Sequence, residues 1–317
     1  MNHLKIVIAG GTGFIGQSIV KYFAGNDIAV IGRGDKATNT NAYPDHKAGN
    51  LEDSAVQYYQ WDGKHACGNW TSALEGADLV INLAGRTVNC RYNESNKKEI
   101  LESRVQATAA VGEAIRQCAS PPELWINAAS ATIYPHAEDQ PRDEYTKNFH
   151  NDFSVQVCKK WEAEFWRQST THTRKVCLRI AITLGHGGVM TPYLKMVKWG
   201  LGGRQGNGKQ MFSWIHIEDV YRIIGLLMEH ENLAGVFNCS SPNPVTNEVF
   251  MEMLRNSLNK KLGLPSPAWL LKIGAFMIAT ETELILKSRW VVPDRLLTSG
   301  YTFTFPLLKD AFEDLLR

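Results

Sequence analysis

Seven residues near the start of the chain, Gly10-Gly11-Thr12-Gly13-Phe14-Ile15-Gly16, have the types and spacing to hold a phosphate. Glycines let the backbone turn tightly and leave bare N–H groups with no side chain in front of them. The run follows an apolar stretch, Ile6-Val7-Ile8-Ala9, that reads as a strand. It precedes Ile15, Ile19, Val20 and Phe23, which share one face of a helix. A helix N-terminus adds roughly half a positive charge to the donors of the turn. Strand, glycine turn and helix in that order turn a bare pattern into a dinucleotide site.

The next position that decides chemistry is the end of the following strand, Ile28–Ile31. An NAD site places an acidic residue there, to accept hydrogen bonds from the ribose 2′-OH. This chain has Arg33, which suits a 2′-phosphate through charge-assisted hydrogen bonds and so points to NADP over NAD. Asp35 is the residue that would argue for NAD; its other reading is a solvated loop carboxylate. Trp61 and Asp62 close a third strand, where an adenine edge could lie, although Trp61 serves core packing equally well. A fourth strand ends in Asn82-Leu83-Ala84-Gly85, and the small residues at 84 and 85 let a flat cofactor approach the backbone.

The elements that must carry these residues alternate. Strands are expected at 4–9, 28–31, 57–61, 79–83, 124–128 and 175–180, with helices at 14–24, 94–118 and 152–169. Repeated strand–helix units imply an α/β, Rossmann-type doubly wound parallel sheet with right-handed crossovers, whose ligands bind at the carboxyl ends of the strands. After residue 180 the rhythm breaks into glycine-rich and proline-punctuated stretches. The expectation is a dinucleotide-binding domain over 1–180 and a smaller, mainly helical substrate-side domain over 181–317, with 217–239 able to return to the first.

Bulk properties narrow the partners. The 317 residues are 44% hydrophobic and 21% charged, ordinary for a globular protein with a sizeable core. A net charge of +2 gives no compositional case for a nucleic-acid or membrane partner, and leaves a small-molecule substrate. The first residues read as a strand rather than a secretory leader. The longest apolar stretch, near Ala268–Ala279, is interrupted by Lys272 and too short for a bilayer. Six scattered cysteines without CxxC spacing point to reduced thiols in a cytoplasmic setting. His65 and Cys67 have no second cluster to complete a metal site. The run from Gly203 to Lys209 imitates a nucleotide P-loop, but Gln210 stands where Ser or Thr should hold magnesium, and no apolar strand feeds it. A loop over the cleft suits it better.

Several motifs together, GGTGFIG at 10–16, NLAG at 82–85, ASATIY at 129–134 and WIHIEDV at 214–220, resemble the extended short-chain dehydrogenase/reductase superfamily. More narrowly, Glu102-Ser103-Arg104-Val105, Gly200–Gly203, Pro242–Thr246 and the end over Pro265–Arg317 resemble an atypical "epimerase family" branch with a C-terminal domain of unknown function. The resemblance spans nearly the whole chain. It implies a nicotinamide cofactor and a substrate cleft between two domains, in an oxidoreductase or epimerase-like enzyme; a homodimer is compatible with it. By the match of the SATIY run, Ser130 takes the place of the superfamily's catalytic serine or threonine, with a strand-end cap as its other reading.

The chain departs from the superfamily at its proton relay, a tyrosine and a lysine four residues apart on one helix face. Anchored on Trp161-Glu162, those places hold Ser154 and Cys158. Lys159 and Lys160 are turned off that face by about 100° and 200°. Acid–base work could pass to Tyr134, Cys158 or His216, each of which also has a structural reading as packing, a small buried thiol or a loop anchor. Arg91 and Arg179 could bind an anionic substrate group or form ordinary salt bridges. The loss of the relay also leaves open a non-catalytic NADP(H)-binding scaffold or redox sensor.

Overall fold

The computed structural model describes residues 3–34, 56–267 and 283–317; Asp35 lies outside the described residues. The first half runs β1 (Lys5–Ala9), α1 (Phe14–Tyr22), β2 (Asp27–Gly32), β3 (Val56–Gln60), β4 (Leu79–Asn82), α2 (Glu94–Gln117), β5 (Leu124–Ser130), α3 (Phe153–Arg167) and β6 (Arg174–Ile180). There follow β7 (Ile182–Leu184), α4 (Met190–Lys198), β8 (Met211–Phe212), β9 (Trp214–His216), α5 (Ile217–Glu229), β10 (Gly235–Cys239), β11 (Val245–Thr246) and α6 (Asn247–Ser257). The last described segment holds α7 (Glu283–Leu286), α8 (Asp294–Thr298) and α9 (Leu308–Leu315).

Seven strands form one parallel sheet in the order β3-β2-β1-β4-β5-β6-β10. The order reverses between β1 and β4, and the crevice beyond their carboxyl ends is the ligand position of such sheets. β1 shows why the strands are apolar throughout: Ile6 and Ile8 join the core on the α1/α5 face, while Val7 and Ala9 join the core on the α2/α3 face. β10 lies beside β6, so the sheet takes a strand from beyond residue 180. β5 runs two residues past its expected end, because Ala129 and Ser130 keep pairing with Arg179 and Ile180.

A third core lies beyond the sheet. Tyr193 on α4, Phe212 on β8, Phe250 on α6 and Phe312 on α9 stack and edge against one another there. The C-terminal segment is tied back to the main body by the buried Asp219 on α5. Its carboxylate accepts from the Tyr301 hydroxyl at 2.8 Å and from the Thr304 and Phe305 N–H groups at 2.8 and 3.0 Å. Among the described residues, no helix is long and apolar enough to cross a membrane.

Candidate active site

The glycine turn sits at the β1–α1 junction, and each glycine is required for a different reason. Gly10 has φ +81°, and a Cβ there would lie 3.0 Å from the Ala84 nitrogen. Gly16 admits no side chain at all, since a Cβ would stand 2.5 Å from Gly11 Cα. Gly11 is closed by Val30, 2.9 Å away. Gly13 differs: it is exposed, and its Cβ position meets only the Gly10 carbonyl at 3.3 Å. The first and last glycines thus shape the protein, while Gly13 keeps a surface bare.

The helix behind the turn is built for an anion. Side chains cap α2, α3 and α6: Asn93, Asp152 and Thr246 accept backbone N–H groups of their own first turns. α1 begins at Gly13 with no side-chain cap and no acidic residue in its first turn. Its N-terminal donors therefore fit a pyrophosphate, with Thr12, Phe14 and Ile15 carrying the rest of the turn. Phe14 is itself anchored, since Cβ atoms at Gly185 and Gly188 would come within 2.7 and 3.1 Å of its ring.

At the end of β2, Arg33 is exposed and makes no ion pair or hydrogen bond among the described residues. Its stem lies against Gly63, 3.3 Å from that residue's Cβ position. Asp62 beside it accepts the Lys64 and His65 N–H groups at 2.8 and 3.0 Å and pairs with the His65 ring. Those bonds draw its pKa down to about 2, the backbone bond from His65 most of all. At the end of β4, Leu83 donates its N–H to Ala9, and Ala84 donates to the Asn82 side chain. Leu83, Ala84 and the exposed Gly85 therefore present ordered backbone directly across from Gly10.

The residues singled out for chemistry are deeper. Ser130 closes β5, and its Oγ accepts the Thr132 N–H at 3.2 Å and donates to Thr132 Oγ1 at 3.0 Å, a local cap on the turn 131–133. Tyr134 is wholly buried. Its hydroxyl donates to Asn238 Oδ1 at 2.9 Å and accepts from Arg179 at 2.8 Å. Arg179 in turn makes a two-pronged ion pair with Glu162, both contacts 2.8 Å. Its charge is therefore already neutralised within the fold. Burial pushes the Tyr134 hydroxyl up to about 12 despite the neighbouring guanidinium.

Cys158 is also buried, and loss of solvation followed by repulsion from Glu162 raises its thiol to about 12. Neither group releases a proton readily near neutral pH. His216 is 2% exposed and caps α5, its Nδ1 accepting the Glu218 N–H at 3.2 Å. Its ring lies 3.9 Å from that of Phe305. Its Nε2 is 3.4 Å from Asp314 Oδ2 but makes no hydrogen bond. Burial lowers its pKa. Arg91 precedes α2, and its carbonyl accepts from Asn96. Lys159 and Lys160 are exposed.

The sequence reading missed the partners that hold these groups. Asn82 donates to Asn127 at 2.7 Å and to Thr108 at 3.2 Å, and Trp161 donates to Thr108 at 3.0 Å. This buried polar chain joins β4, β5, α2 and α3 under the cleft. Asn127 and Thr108 carried no sequence signal. Glu162 entered only as part of the Trp161-Glu162 anchor, not as the partner of Arg179. The imitation P-loop is packed rather than open: Gln205 is fully buried, and Gly203 abuts the Leu264 backbone.

A doubly wound sheet with an uncapped glycine turn at its first strand–helix junction defines a dinucleotide-binding α/β protein. Residues 6–240 match the NAD dependent epimerase/dehydratase family, and 266–315 match DUF1731, a domain of unknown function. The chain belongs to that epimerase/dehydratase family. It is 30% identical to the mouse epimerase family protein SDR39U1 over 317 residues, covering 98% of this chain and 99% of the relative. It is also 30% identical to the epimerase family protein SH2119 of Staphylococcus haemolyticus, with the same coverage. The crystal structure of human SDR39U1 (isoform 2) with NADPH superposes with a TM-score of 0.80 at 29% identity, over 98% of each chain. MoeE5 in complex with UDP-glucuronic acid and NAD shares the fold, with a TM-score of 0.74 at 17% identity over 98% of this chain and 97% of MoeE5.

Proposed function

We propose that this protein is an NADP(H)-dependent oxidoreductase or epimerase-like enzyme acting on a small polar substrate. The observation that carries the reading is the pairing of an uncapped glycine turn with Arg33, an exposed cation with no partner among the described residues, at the end of β2. The NADPH in the crystal structure of the human relative supports the same choice. Bound NADP(H) would supply or accept a hydride. The chain's own part is to hold the pyrophosphate at Gly10–Gly16 and to meet the 2′-phosphate with Arg33. The Leu83-Ala84-Gly85 backbone would bound the cofactor pocket.

Ser130 Oγ would orient a substrate carbonyl or hydroxyl by exchanging its bond to Thr132 for one to substrate. The raised pKa values of Tyr134 and Cys158 argue against either as the proton donor. Arg33→Asp should shift the ratio of NADP to NAD affinity toward NAD by at least about tenfold, measured by fluorescence titration of the reduced cofactors. An unchanged ratio would remove the 2′-phosphate role. Turnover is tested by following nicotinamide absorbance across a metabolite screen with NADP-loaded protein.

A second reading, a non-catalytic NADP(H)-binding scaffold or redox sensor, is favoured by one observation. Ser154 and the buried Cys158 fill the relay positions with groups that do not move protons easily. A sensor must bind a partner differently in its NADP⁺ and NADPH forms. Equal partner binding by both forms and by the cofactor-free protein would sink it.

A further inference from the structure

Two arginines near the start of α3 have no carboxylate within ion-pair distance among the described residues. Arg104 on α2 packs its stem against Gly85 and its guanidinium 5.2 Å from the Trp161 ring. Only its Nη1 is engaged, donating to the Arg86 and Ile100 carbonyls at 3.0 and 2.9 Å. Trp161 shares its α3 face with Ser154 and Cys158, by the i, i+4, i+7 spacing of a helix. Arg104 therefore lies against the face on which the superfamily's relay pair would stand.

Arg289 reaches the same place from the C-terminal segment. Lys287, two residues earlier, pairs with Asp152 at the α3 N-cap, and Val291, two residues later, packs in the cluster containing Cys158 and Tyr134. Arg289 lies in the chain between those two anchors, where its backbone N–H donates to the Met211 carbonyl at 2.9 Å. Its Nη1 donates to the Ser288 carbonyl at 3.3 Å, while its buried Nε has no acceptor. Ser154 Oγ is likewise buried and unpartnered. Among the described residues neither arginine has a carboxylate within ion-pair distance, whereas Arg179, beside them, has Glu162. Loss of solvation lowers the pKa of both, Asp152 and Glu283 partly offset this for Arg289 from beyond ion-pair distance, and both arginines act electrostatically on the Cys158 thiol.

Buried donors without acceptors are costly and uncommon in folded proteins. Arg289 Nε and Ser154 Oγ are two such donors, and with the Arg104 guanidinium nearby, where a phenol and an ammonium are missing, they suit a ligand with several acceptor oxygens and negative charge. We propose that Arg104, Arg289 and Ser154 form a subsite for an oxyanion group of the substrate, a carboxylate or a phosphate. The subsite rests on the proposed NADP(H)-dependent reading and names the substrate class for it: a small organic anion. It moves anion recognition from Arg91 and Arg179 to a pair contributed by α2 and the C-terminal segment.

The test is calorimetric titration of the NADPH-loaded full chain with succinate and with inorganic phosphate, at fixed ionic strength in chloride. Saturable binding of at least one probe is expected, and which one binds separates the carboxylate from the phosphate source. Arg104→Gln and Arg289→Gln should each weaken it by about tenfold or more, and Ser154→Ala by about threefold. Arg289→Lys should retain part of the affinity, and it keeps the test valid if Arg289→Gln does not fold. No saturable binding of either probe by wild type overturns the subsite, as does unchanged probe affinity in both arginine variants. Weaker NADPH binding with unchanged probe binding would assign the arginines to the cofactor's own phosphates, and also overturns it. NADPH affinity is measured separately, so failure of the cofactor reading shows as absent NADPH binding, and the same titrations on cofactor-free protein then stand alone.

Discussion

The two halves of the cleft are built by opposite means. At the β1–α1 turn the working surface is backbone, with side chains removed at Gly10, Gly11, Gly13 and Gly16. At the start of α3 it is crowded with side chains from four elements: Tyr134 after β5, Arg179 on β6, Glu162 on α3 itself and Arg104 on α2. The first region can hold a cofactor with little rearrangement, because its donors are fixed by the fold. The second is a charged interior in which most groups are already committed to one another. The proposed cofactor contacts and the proposed chemistry therefore rest on separate sets of groups, and a fold does not by itself imply what the second set does.

The sharpest way to break that contrast is within the turn. Gly16→Val should cost about 3 kcal/mol or more, or prevent folding, because backbone stands 2.5 Å from its Cβ position. Gly13→Val should leave the melting temperature within a few degrees yet weaken NADPH binding by more than about 100-fold. Thermal denaturation and fluorescence titration together check both. A Gly13→Val protein that binds NADPH like wild type would take the turn out of the site.

In the second region, Glu162→Gln should destabilise by about 3–5 kcal/mol in urea unfolding, since it leaves the buried Arg179 charge uncompensated. A change below about 1 kcal/mol would show that the pair is solvated. Thiol chemistry sharpens the same point. At pH 8 the exposed Cys67 should be alkylated by iodoacetamide at least about 100-fold faster than Cys158, as read by peptide mass spectrometry. Comparable rates would mean that the α3 region opens readily.

The smallest effect concerns His216. Burial disfavours its charged form, so its folded pKa lies below the ordinary 6.5 and the unfolded chain takes up the proton first. Its contribution is intact above pH 6.5 and is lost as pH falls from there through the folded pKa. His216→Asn keeps a capping side chain and should flatten the fall in stability between pH 7 and pH 5, measured by urea unfolding at each pH. An unchanged slope would place the histidine in solvent.

What was legible in the sequence follows the same division. The glycine turn, the succession of strands along the chain through β6, and Arg33 could be read because each depends on neighbours within a few residues: a turn, an alternation, a strand end. The Asn82–Asn127–Thr108–Trp161 chain could not, since its members lie up to 79 positions apart and meet only once β4, β5, α2 and α3 are packed. Arg179 and Tyr134 were visible as residue types, but their mutual bonding was not. A buried arginine and an exposed one look alike in a sequence until its carboxylate partner is placed.

Phe14 bears on how the protein is made. The ring that follows the nucleotide turn rests under Gly185–Gly188, and the sheet that holds the turn takes its seventh strand from 235–239. A nascent chain that ends just after β6 therefore carries the whole glycine turn but neither the cover over Phe14 nor the strand that pairs the outer edge of β6. The surroundings of the turn are complete only once residue 239 of 317 has emerged, and a chain ending between β6 and the Gly185–Gly188 cover presents an unpaired strand edge and an uncovered aromatic ring.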